Sequence, residues 1–326
     1  MALLDLEKAF DTVWHDGLIA KLIDMKIPKH LARIIDSYLK DRKSFVSIRN
    51  QNSEQFTVTA GVPQGSILSP HLFNLFINGI PTLDTCQLGL FADDTALFCV
   101  VPWKNLKKVK TTLLNSLKAV KDYFDDWKIK LNDSKTEFIV FTKSTIMKRR
   151  TENDTIDFNG TQFQWKQCVT YLGIDLDRIL SFKNHIDKVV KKSRNVVASL
   201  YCLMRKNSSV TPQVKLNVYK SIIRPILTYG CPVFTNCPAT HFKKLQIQQN
   251  KVLRMVLNES YYTRITDLHA QAKNIPTIRE FVDKLTNNFY TKAQNHENEL
   301  ICHLGSYVRD SLGFRVKHRL PLPHNV

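Results

Sequence analysis

The spacing of hydrophobic positions changes along the chain and separates two regions. Up to about residue 180, short apolar runs are broken by turn residues, which is typical of mixed strands and helices. From Phe182 onward the apolar positions recur with helical spacing. The predicted elements are a buried strand at 2–6, helices at 7–25 and 29–40, a hairpin over 44–49 and 55–60, a helix from Ile67 to about Ile80, strands at 88–91 and 95–100, a helix at 104–130, a strand at 137–142, a hairpin over 157–165, a strand at 168–177, and helices at about 182–206, 211–230, 240–258 and 277–295.

Local patterns add detail to these predictions. In the helix at 29–40, the apolar residues Leu31, Ile34, Ile35 and Leu39 share one face. Asn159-Gly160 is typical of a two-residue hairpin turn. The segment 61–66, GVPQGS, is a Gly/Pro loop.

Composition narrows the class of partner. The chain has 326 residues, enough for two or more subdomains, and 47 Lys plus Arg against 29 Asp plus Glu give a net charge of +18. Such a surplus favours a polyanionic partner, nucleic acid or an acidic membrane surface. No apolar run reaches the roughly 20 residues of a membrane span, and no signal peptide is recognised. We therefore expect an intracellular protein of the cytoplasm or nucleus, not a secreted one.

The seven cysteines are scattered and include no CxxC pair. This pattern indicates neither a disulfide framework nor a zinc site. Reduced thiols in an intracellular protein are the simplest interpretation.

Two adjacent aspartates, Asp93 and Asp94, interrupt the apolar stretch LGLFADDTALFC. Like charges in such a segment are costly unless they are compensated. A hairpin tip that carries both carboxylates is stable if divalent cations neutralise them. Asp5, which ends the apolar strand ALLDL, is the candidate for a third ligand. The alternative is a solvated turn without metal.

Five segments occur in a specific order: LDLEKAFDTVWHDGL at 4–18, GVPQGSILSPHLFNLFIN at 61–78, FADD at 91–94, LNDSKTEFIVF at 131–141 and VTYLGIDLD at 169–177. Together they resemble the palm motifs of jockey-like reverse transcriptases from non-long-terminal-repeat retrotransposons. QIQQNKVLRMVLN at 246–258 and HAQAKNIPTIREF at 269–281 resemble the C-terminal region of those proteins. The splicing-type and telomeric reverse transcriptases are less similar to these segments.

The resemblance implies an α+β fold with a right-hand polymerase palm, in which a small antiparallel sheet packs on helices. It divides the chain into a partial palm at 1–178, a helical thumb-like region at 179–235 and a C-terminal helical region at 236–326. It also implies an RNA-directed DNA polymerase, a nucleotidyltransferase that extends a primer 3′-hydroxyl. The implied partners are an RNA template, a DNA primer and deoxynucleoside triphosphates, and no membrane. The implied cofactor is Mg²⁺, two ions about 4 Å apart, with Mn²⁺ as an alternative.

The resemblance also assigns site residues. Asp5, Asp93 and Asp94 match the metal-binding palm aspartates. Asp5 and Asp93, each the first aspartate of its motif, would carry most of the metal ligation, and Asp94 would support it. Lys135 matches the lysine near the triphosphate, where it would assist departure of the pyrophosphate. Leu6 and Phe10 match the nucleotide-binding motif, and the Phe10 ring would exclude a 2′-hydroxyl. Asp11 is interpreted as structural or as a salt-bridge partner.

Further positions are assigned to the nucleotide, the primer and the template. Gln64 and Gly65 match the loop beside the nascent base pair, and Gly65 is expected to open a helix whose N-terminus favours an anion. Tyr171, Leu172 and Gly173 match the segment that supports the primer end. Lys188, Lys191 and Lys192 lie on a basic amphipathic helix, which the resemblance places in the thumb on the template–primer backbone. A solvated helix face is the alternative for this helix.

In the family a fingers region precedes the first palm aspartate, and Asp5 lies near the start of this chain. We therefore expect an N-terminally truncated protein whose fingers are largely missing and which is inactive by itself. The alternative function is that of a catalytically dead remnant that still binds nucleic acid.

Overall fold

The computed structural model describes residues 1–81, 86–100, 106–205, 207–272, 275–302 and 304. Within it the chain divides into two compact units, of which the first ends at Leu172 and the second begins at Gly173. The three-part division made from the sequence stays a prediction. The predicted helical positions 104, 105 and 206 lie outside the described residues.

The first unit contains the following described elements: strands β1 (Ala2–Leu4), β2 (Arg42–Ser44), β3 (Ser47–Ile48), β4 (Gln51–Asn52), β5 (Phe56–Val58), β6 (Cys86–Phe91), β7 (Asp94–Cys99), β8 (Glu137–Ile139), β9 (Thr155–Phe158), β10 (Thr161–Lys166) and β11 (Cys168–Tyr171), and helices α1 (His15–Asp24), α2 (Lys29–Leu39), α3 (Ser69–Ile77), α4 (Leu106–Asp126) and α5 (Thr145–Glu152). Most predicted elements of this half are present. The hairpin over 44–60 forms as two short ladders, β2 with β5 and β3 with β4.

Six strands of this unit form one sheet in the order β6-β7-β1-β8-β10-β9. The central strand β1 pairs antiparallel with β7 and β8, whereas β8 and β10 are parallel. The sheet is therefore mixed and not wholly antiparallel as expected. These directions place the end of β1 with the starts of β7 and β8, and we call this the carboxylate end. The starts of β6 and β9 lie at the opposite, distal end.

Helix α4 supplies much of the core beneath the sheet. Leu113, Leu117, Val120 and Phe124 recur with helical spacing, are buried, and belong to one cluster with Leu97 of β7. Fully burying such a side chain contributes about 1.5–3 kcal/mol. This packing holds the central strands, and so the residues at their ends, in fixed register.

The helix predicted at 7–25 begins only at His15, and residues before it form turns. Lys8 has a φ of 49°, and this left-handed backbone conformation is incompatible with a right-handed helix at that residue. The segment bonds to distant backbone instead: the N–H of Glu7 donates to the carbonyl of Lys130 at 2.8 Å. In α2 the predicted apolar face is also only partly buried, because Ile34 is 62% exposed. In the segment before α1, pairing with distant backbone therefore overrides the helical periodicity of the sequence.

A disulfide joins Cys86 of β6 to Cys99 of β7. The prediction that the cysteines are reduced is wrong for this pair. The two residues face each other in the hairpin register, with Cα atoms 4.4 Å apart. The motif search missed them because strand pairing, not a short spacing, brings them together. The free cysteines among the described residues are Cys168, Cys202, Cys231, Cys237 and Cys302.

The second unit is mainly helical, as predicted. Its described elements are β12 (Ile174–Asp177), α6 (Lys183–Ser199), α7 (Tyr201–Met204), α8 (Pro212–Val218), a π-helical stretch (Tyr219–Ile223), α9 (Arg224–Thr228), α10 (Cys231–Phe234), α11 (Ala239–Leu257), α12 (Ile265–Gln271), α13 (Ile278–Gln294) and α14 (Glu299–Cys302). It has its own buried apolar cluster, built largely by α6, α11 and α13.

The single strand predicted at 168–177 was wrong, since the chain turns at Leu172 and Gly173, both with positive φ. Across the described residues, none of the helices combines the length and apolarity needed to cross a lipid bilayer.

Candidate active site

Asp5 and Asp94 are neighbours at the carboxylate end of the sheet. The register pairs Leu4, the last residue of β1, with Thr95, so Asp5, which follows β1, lies beside Asp94, the first residue of β7. Asp94 is the first residue of β7, whereas Asp93 lies in the two-residue turn. The predicted pair is therefore split between a strand and a turn.

The turn before Asp94 requires an unusual backbone. Phe91 pairs with Asp94, which leaves only Ala92 and Asp93 to reverse the chain. Ala92 has a φ of 51°, in the left-handed region that favours glycine. Tight two-residue hairpins need positive φ in the loop. The strained backbone of Ala92 therefore lies directly before Asp93 and Asp94.

A cavity of about 160 Å³ opens beside this pair, and Asp5, Asp94, Lys135, Glu137 and Tyr171 contribute to its lining. Burial, followed by the charges of Asp93 and Asp5, raises the pKa of the Asp94 carboxyl. Burial and the charge of Asp94 also raise the pKa of Tyr171. Both shifts indicate a concentration of negative charge in a partly desolvated site.

Lys135 partly compensates this charge. Its Nζ lies 3.3 Å from Oδ2 of Asp5, and its side chain is 67% exposed. The lysine is positioned by a 3₁₀ turn at Asp133–Lys135 that immediately precedes β8. Its exposed position lets the ammonium group contact a ligand while it stays beside the aspartates.

The donor chemistry suits a divalent cation, since carboxylate oxygens are the preferred ligands of Mg²⁺. Burial and then repulsion from Asp93 and Asp5 raise the pKa of Asp94, and such an ion would relieve the repulsion. However, among the described residues no three His, Cys, Asp or Glu side chains are arranged as a metal-binding group. Asp5 and Asp94 share the cavity, and Asp93 does not line it.

The GVPQGS loop is fastened to the segment after β1. The N–H of Val62 donates to the carbonyl of Phe10 at 2.8 Å, and the N–H of Gly61 donates to that of Val13 at 2.9 Å. The Phe10 ring stacks on Phe73 with centroids 4.8 Å apart. The loop and the Phe10 side chain are therefore held as one assembly.

Gln64 lies on this loop and donates from Nε2 to Oδ1 of Asp11 at 2.9 Å. Asp11 is thus a hydrogen-bond acceptor. The expectation that Gly65 opens a helix is wrong, because α3 begins at Ser69 and Gly65 has a φ of 86° in the loop. The side chain of Leu6 is buried in the core, which leaves only its main chain for a ligand.

The basic helix is α6, and its lysines differ. Nζ of Lys188 lies 2.6 Å from Oδ1 of Asp175, whose side chain is largely buried. Lys191 and Lys192 are exposed, and neither makes an ion pair among the described residues. Leu172 and Gly173 form the turn after Tyr171, and a side chain at Gly173 would meet the Tyr229 ring.

Comparison with known proteins decides the family. The family model "Reverse transcriptase (RNA-dependent DNA polymerase)" matches residues 1–176. The chain belongs to the reverse transcriptase family. The resemblance read from the ordered motifs is therefore confirmed.

Relatives of this reverse transcriptase chain come from mobile elements. It is 30% identical over 333 residues to the RNA-directed DNA polymerase from mobile element jockey of Drosophila melanogaster, covering 99% of this chain and 35% of the relative. It is 31% identical over 303 residues to the probable RNA-directed DNA polymerase from transposon X-element of the same species, covering 91% and 32%. The chain spans about a third of the length of the curated relatives it matches.

Two features in or near this candidate site were not predicted from the sequence. Glu137 lines the cavity because Leu3 of β1 pairs with it across β8. The predicted strand at 137–142 included Glu137, but only the pairing of that strand with β1 shows that its first residue reaches the cavity. The Cys86–Cys99 disulfide is the second feature. Its two cysteines are equally far along the chain from the Ala92-Asp93 turn, and so they lie opposite each other in the hairpin.

Proposed function

We propose that this chain carries the palm of an RNA-directed DNA polymerase of a mobile element. It would extend a primer 3′-hydroxyl with deoxynucleotides, copying an RNA template. The observation that carries the proposal is that Asp5, which directly follows β1, and Asp94, the first residue of β7, line one cavity. The family match over residues 1–176 supports the same reaction.

Asp5, Asp93 and Asp94 would hold Mg²⁺, or Mn²⁺ in its place, with Asp5 and Asp93 carrying most of the ligation and Asp94 supporting it. When bound, two such ions activate the attacking hydroxyl and stabilise the charge on the leaving pyrophosphate. The strand register brings two of these carboxylates together, and the hairpin turn carries the third.

The other side chains of the site have separate tasks in this proposal. Lys135 would place its positive charge beside the triphosphate, where negative charge develops on the leaving group. Phe10 would close the space beside the sugar C2′ and so exclude ribonucleotides. Gln64, held by Asp11, would contact the nascent base pair. Lys191 and Lys192 would contact the phosphates of the template–primer duplex.

Primer extension on poly(rA)/oligo(dT) with Mg²⁺ tests the reaction, and Mn²⁺ binding followed by electron paramagnetic resonance tests the site without turnover. We expect Asp5→Asn and Asp94→Asn each to lower extension by at least about a hundredfold and to weaken Mn²⁺ binding. Asp157→Asn is the matched control, an exposed carboxylate of β9 in the same sheet. Equal Mn²⁺ binding by all three variants would contradict the metal site.

The second candidate is a nucleic-acid-binding remnant without catalysis. The exposed lysines of α6 and the net charge of +18 favour it. It predicts retained duplex binding with no extension, and with Mn²⁺ binding unaffected by Asp94→Asn. The two assays above therefore separate the candidates.

A further inference from the structure

A second, larger cavity lies away from the aspartates. Its volume is about 760 Å³, and it is formed where the first turn of α4 meets the last turn of α5. Four cations, Lys107, Lys110, Arg149 and Arg150, face a single carboxylate, Asp154. This is a strongly basic recess in the first unit.

The one carboxylate is already engaged. Nζ of Lys110 lies 2.9 Å from Oδ1 of Asp154, and Nε1 of Trp165 donates to its Oδ2 at 3.4 Å. Within the described part of the chain, Lys107, Arg149 and Arg150 have no acidic side chain within ion-pair distance. Three cations therefore remain to attract an anionic ligand.

Helix stability does not account for Lys107. It lies in the first turn of α4, where the helix dipole is positive and a positive side chain is unfavourable. That turn contains no acidic residue. Arg149 and Arg150, in contrast, lie in the last turn of α5, where cations are favourable. A ligand that needs positive charge at this position would explain the placement of Lys107.

The recess is separate from the candidate active site. Asp154 precedes β9, so it lies at the distal end of the sheet, and the start of α4 follows β7 on the same side. β9 is separated from β1 by β8 and β10, so at the usual spacing of about 4.8 Å per strand the two strands lie roughly 14 Å apart across the sheet. Nucleotide addition at Asp5 and Asp94 does not require this recess.

We propose that this basic recess binds backbone phosphates of single-stranded RNA. Two adjacent arginines suit phosphate, because each guanidinium presents paired donors in a fork. The volume falls within the range of pockets that take ligands of nucleotide size, which suits one or two nucleotides of a strand and not a duplex. The contact goes beyond the proposed polymerase function and would hold a strand at the far end of the sheet.

Fluorescence anisotropy with a labelled 20-nucleotide RNA over a salt series tests the proposal. For single strands the slope of log affinity against log salt is about −0.7 per neutralised phosphate. We expect Arg149→Gln/Arg150→Gln to flatten the slope by about 1.4 and Lys107→Gln by about 0.7. The matched control is Arg33→Gln/Lys118→Gln, two exposed cations of the same unit, with Lys118 on α4 about 16 Å beyond Lys107.

Lys107→Gln guards against an effect through unfolding, because loss of that charge should not weaken α4. Lysine acetylation read by mass spectrometry adds a site-resolved measurement: RNA should protect Lys107 and not Lys118.

Parental slopes in the recess variants, or equal acetylation of Lys107 with and without RNA, would overturn the proposal. Polyglutamate that binds the recess as tightly as RNA would also overturn it and would favour an acidic protein segment as the ligand. Displacement of RNA by stoichiometric pyrophosphate would overturn it too and would favour a small ligand. A single-stranded DNA arm shows whether the sugar matters. Asp94→Asn should bind RNA unchanged, so failure here is distinguishable from failure of the polymerase proposal.

Discussion

At the scale of single residues, the partner of a side chain decides its role more than its type does. Lys188 and Lys191 are both lysines of the exposed face of α6. Lys188 pairs with Asp175 at 2.6 Å, whereas Lys191 makes no ion pair among the described residues. Lys135 shows the opposite case, because its contact with Asp5 brings it into the candidate site.

Phe10 allows a test of sugar selection. We predict that Phe10→Val raises incorporation of ribonucleotides relative to deoxynucleotides by about tenfold or more, since about 1.4 kcal/mol of steric exclusion is removed. Single-nucleotide extension measures this ratio. Phe10→Tyr keeps the bulk and should keep the discrimination.

The same substitution removes the ring pair with Phe73, which is worth about 0.5–1.5 kcal/mol beyond burial. Urea unfolding of Phe10→Val separates this loss of stability from a change in selectivity. An unchanged nucleotide ratio in a folded Phe10→Val protein would remove Phe10 from the role of gate.

At the scale of elements, the loop at 61–65 shows how backbone conformation positions a site. Gly61 and Gly65 have similar φ values of 89° and 86°. A Cβ on Gly61 would lie 2.7 Å from the carbonyl oxygen of Asp11, whereas one on Gly65 would meet nothing within 4 Å. The first glycine permits a close approach between backbones, and the second permits only a turn.

We predict that Gly65→Ala lowers the free energy of unfolding by about 1–2 kcal/mol, the cost of a left-handed non-glycine residue. Gly61→Ala should lower it clearly more, because the clash with the Asp11 backbone adds to the same strain. Urea unfolding of both variants measures the difference. Equal losses would mean that the loop moves freely away from Asp11.

The β6–β7 hairpin gives a second prediction at this scale. In oxidising buffer, Cys99→Ser should lower the free energy of unfolding by up to about 3 kcal/mol, the effect of closing a loop of this length. In reducing buffer the variant and the parent should be nearly equal in stability. Cys202→Ser, at an exposed free cysteine, is the control. If the parent is equally stable in both buffers, the bond does not stabilise the fold.

At the scale of the whole molecule, the net charge of +18 lies mostly in the second unit, which has 24 Lys plus Arg against 10 Asp plus Glu, whereas the first has 23 against 19. In the first unit it includes the basic recess, and in the second it includes α6. Phosphate contacts at these surfaces position a nucleic acid without reading its sequence. Binding can therefore be tested apart from chemistry.

We predict that Lys191→Gln/Lys192→Gln flattens the salt dependence of RNA–DNA duplex binding by about one unit per lost contact and weakens all sequences alike. Lys188→Gln is the control and should change the slope less, because Lys188 pairs with Asp175. Anisotropy over a salt series measures both. If the double variant retains the parental slope, α6 presents a solvated face and the thumb interpretation fails.

Local patterns in the sequence were sufficient for much of the outcome. The Asn159-Gly160 turn, the helical second unit and the strands on both sides of Asp93-Asp94 follow from turn chemistry and periodicity, which act over a few residues. The ordered motifs were sufficient for the reverse transcriptase family. They also indicated Asp5, Asp93 and Asp94 as candidates before any geometry was known.

Only the tertiary structure decided which residues meet. Strand order placed Asp5 beside Asp94 and brought Glu137 to the same cavity, and hairpin register joined Cys86 to Cys99. Backbone bonds to distant residues replaced the helix expected from residue 7. The physical reason is that these contacts join segments far apart in the chain, and their register depends on the packing of the whole sheet and its core.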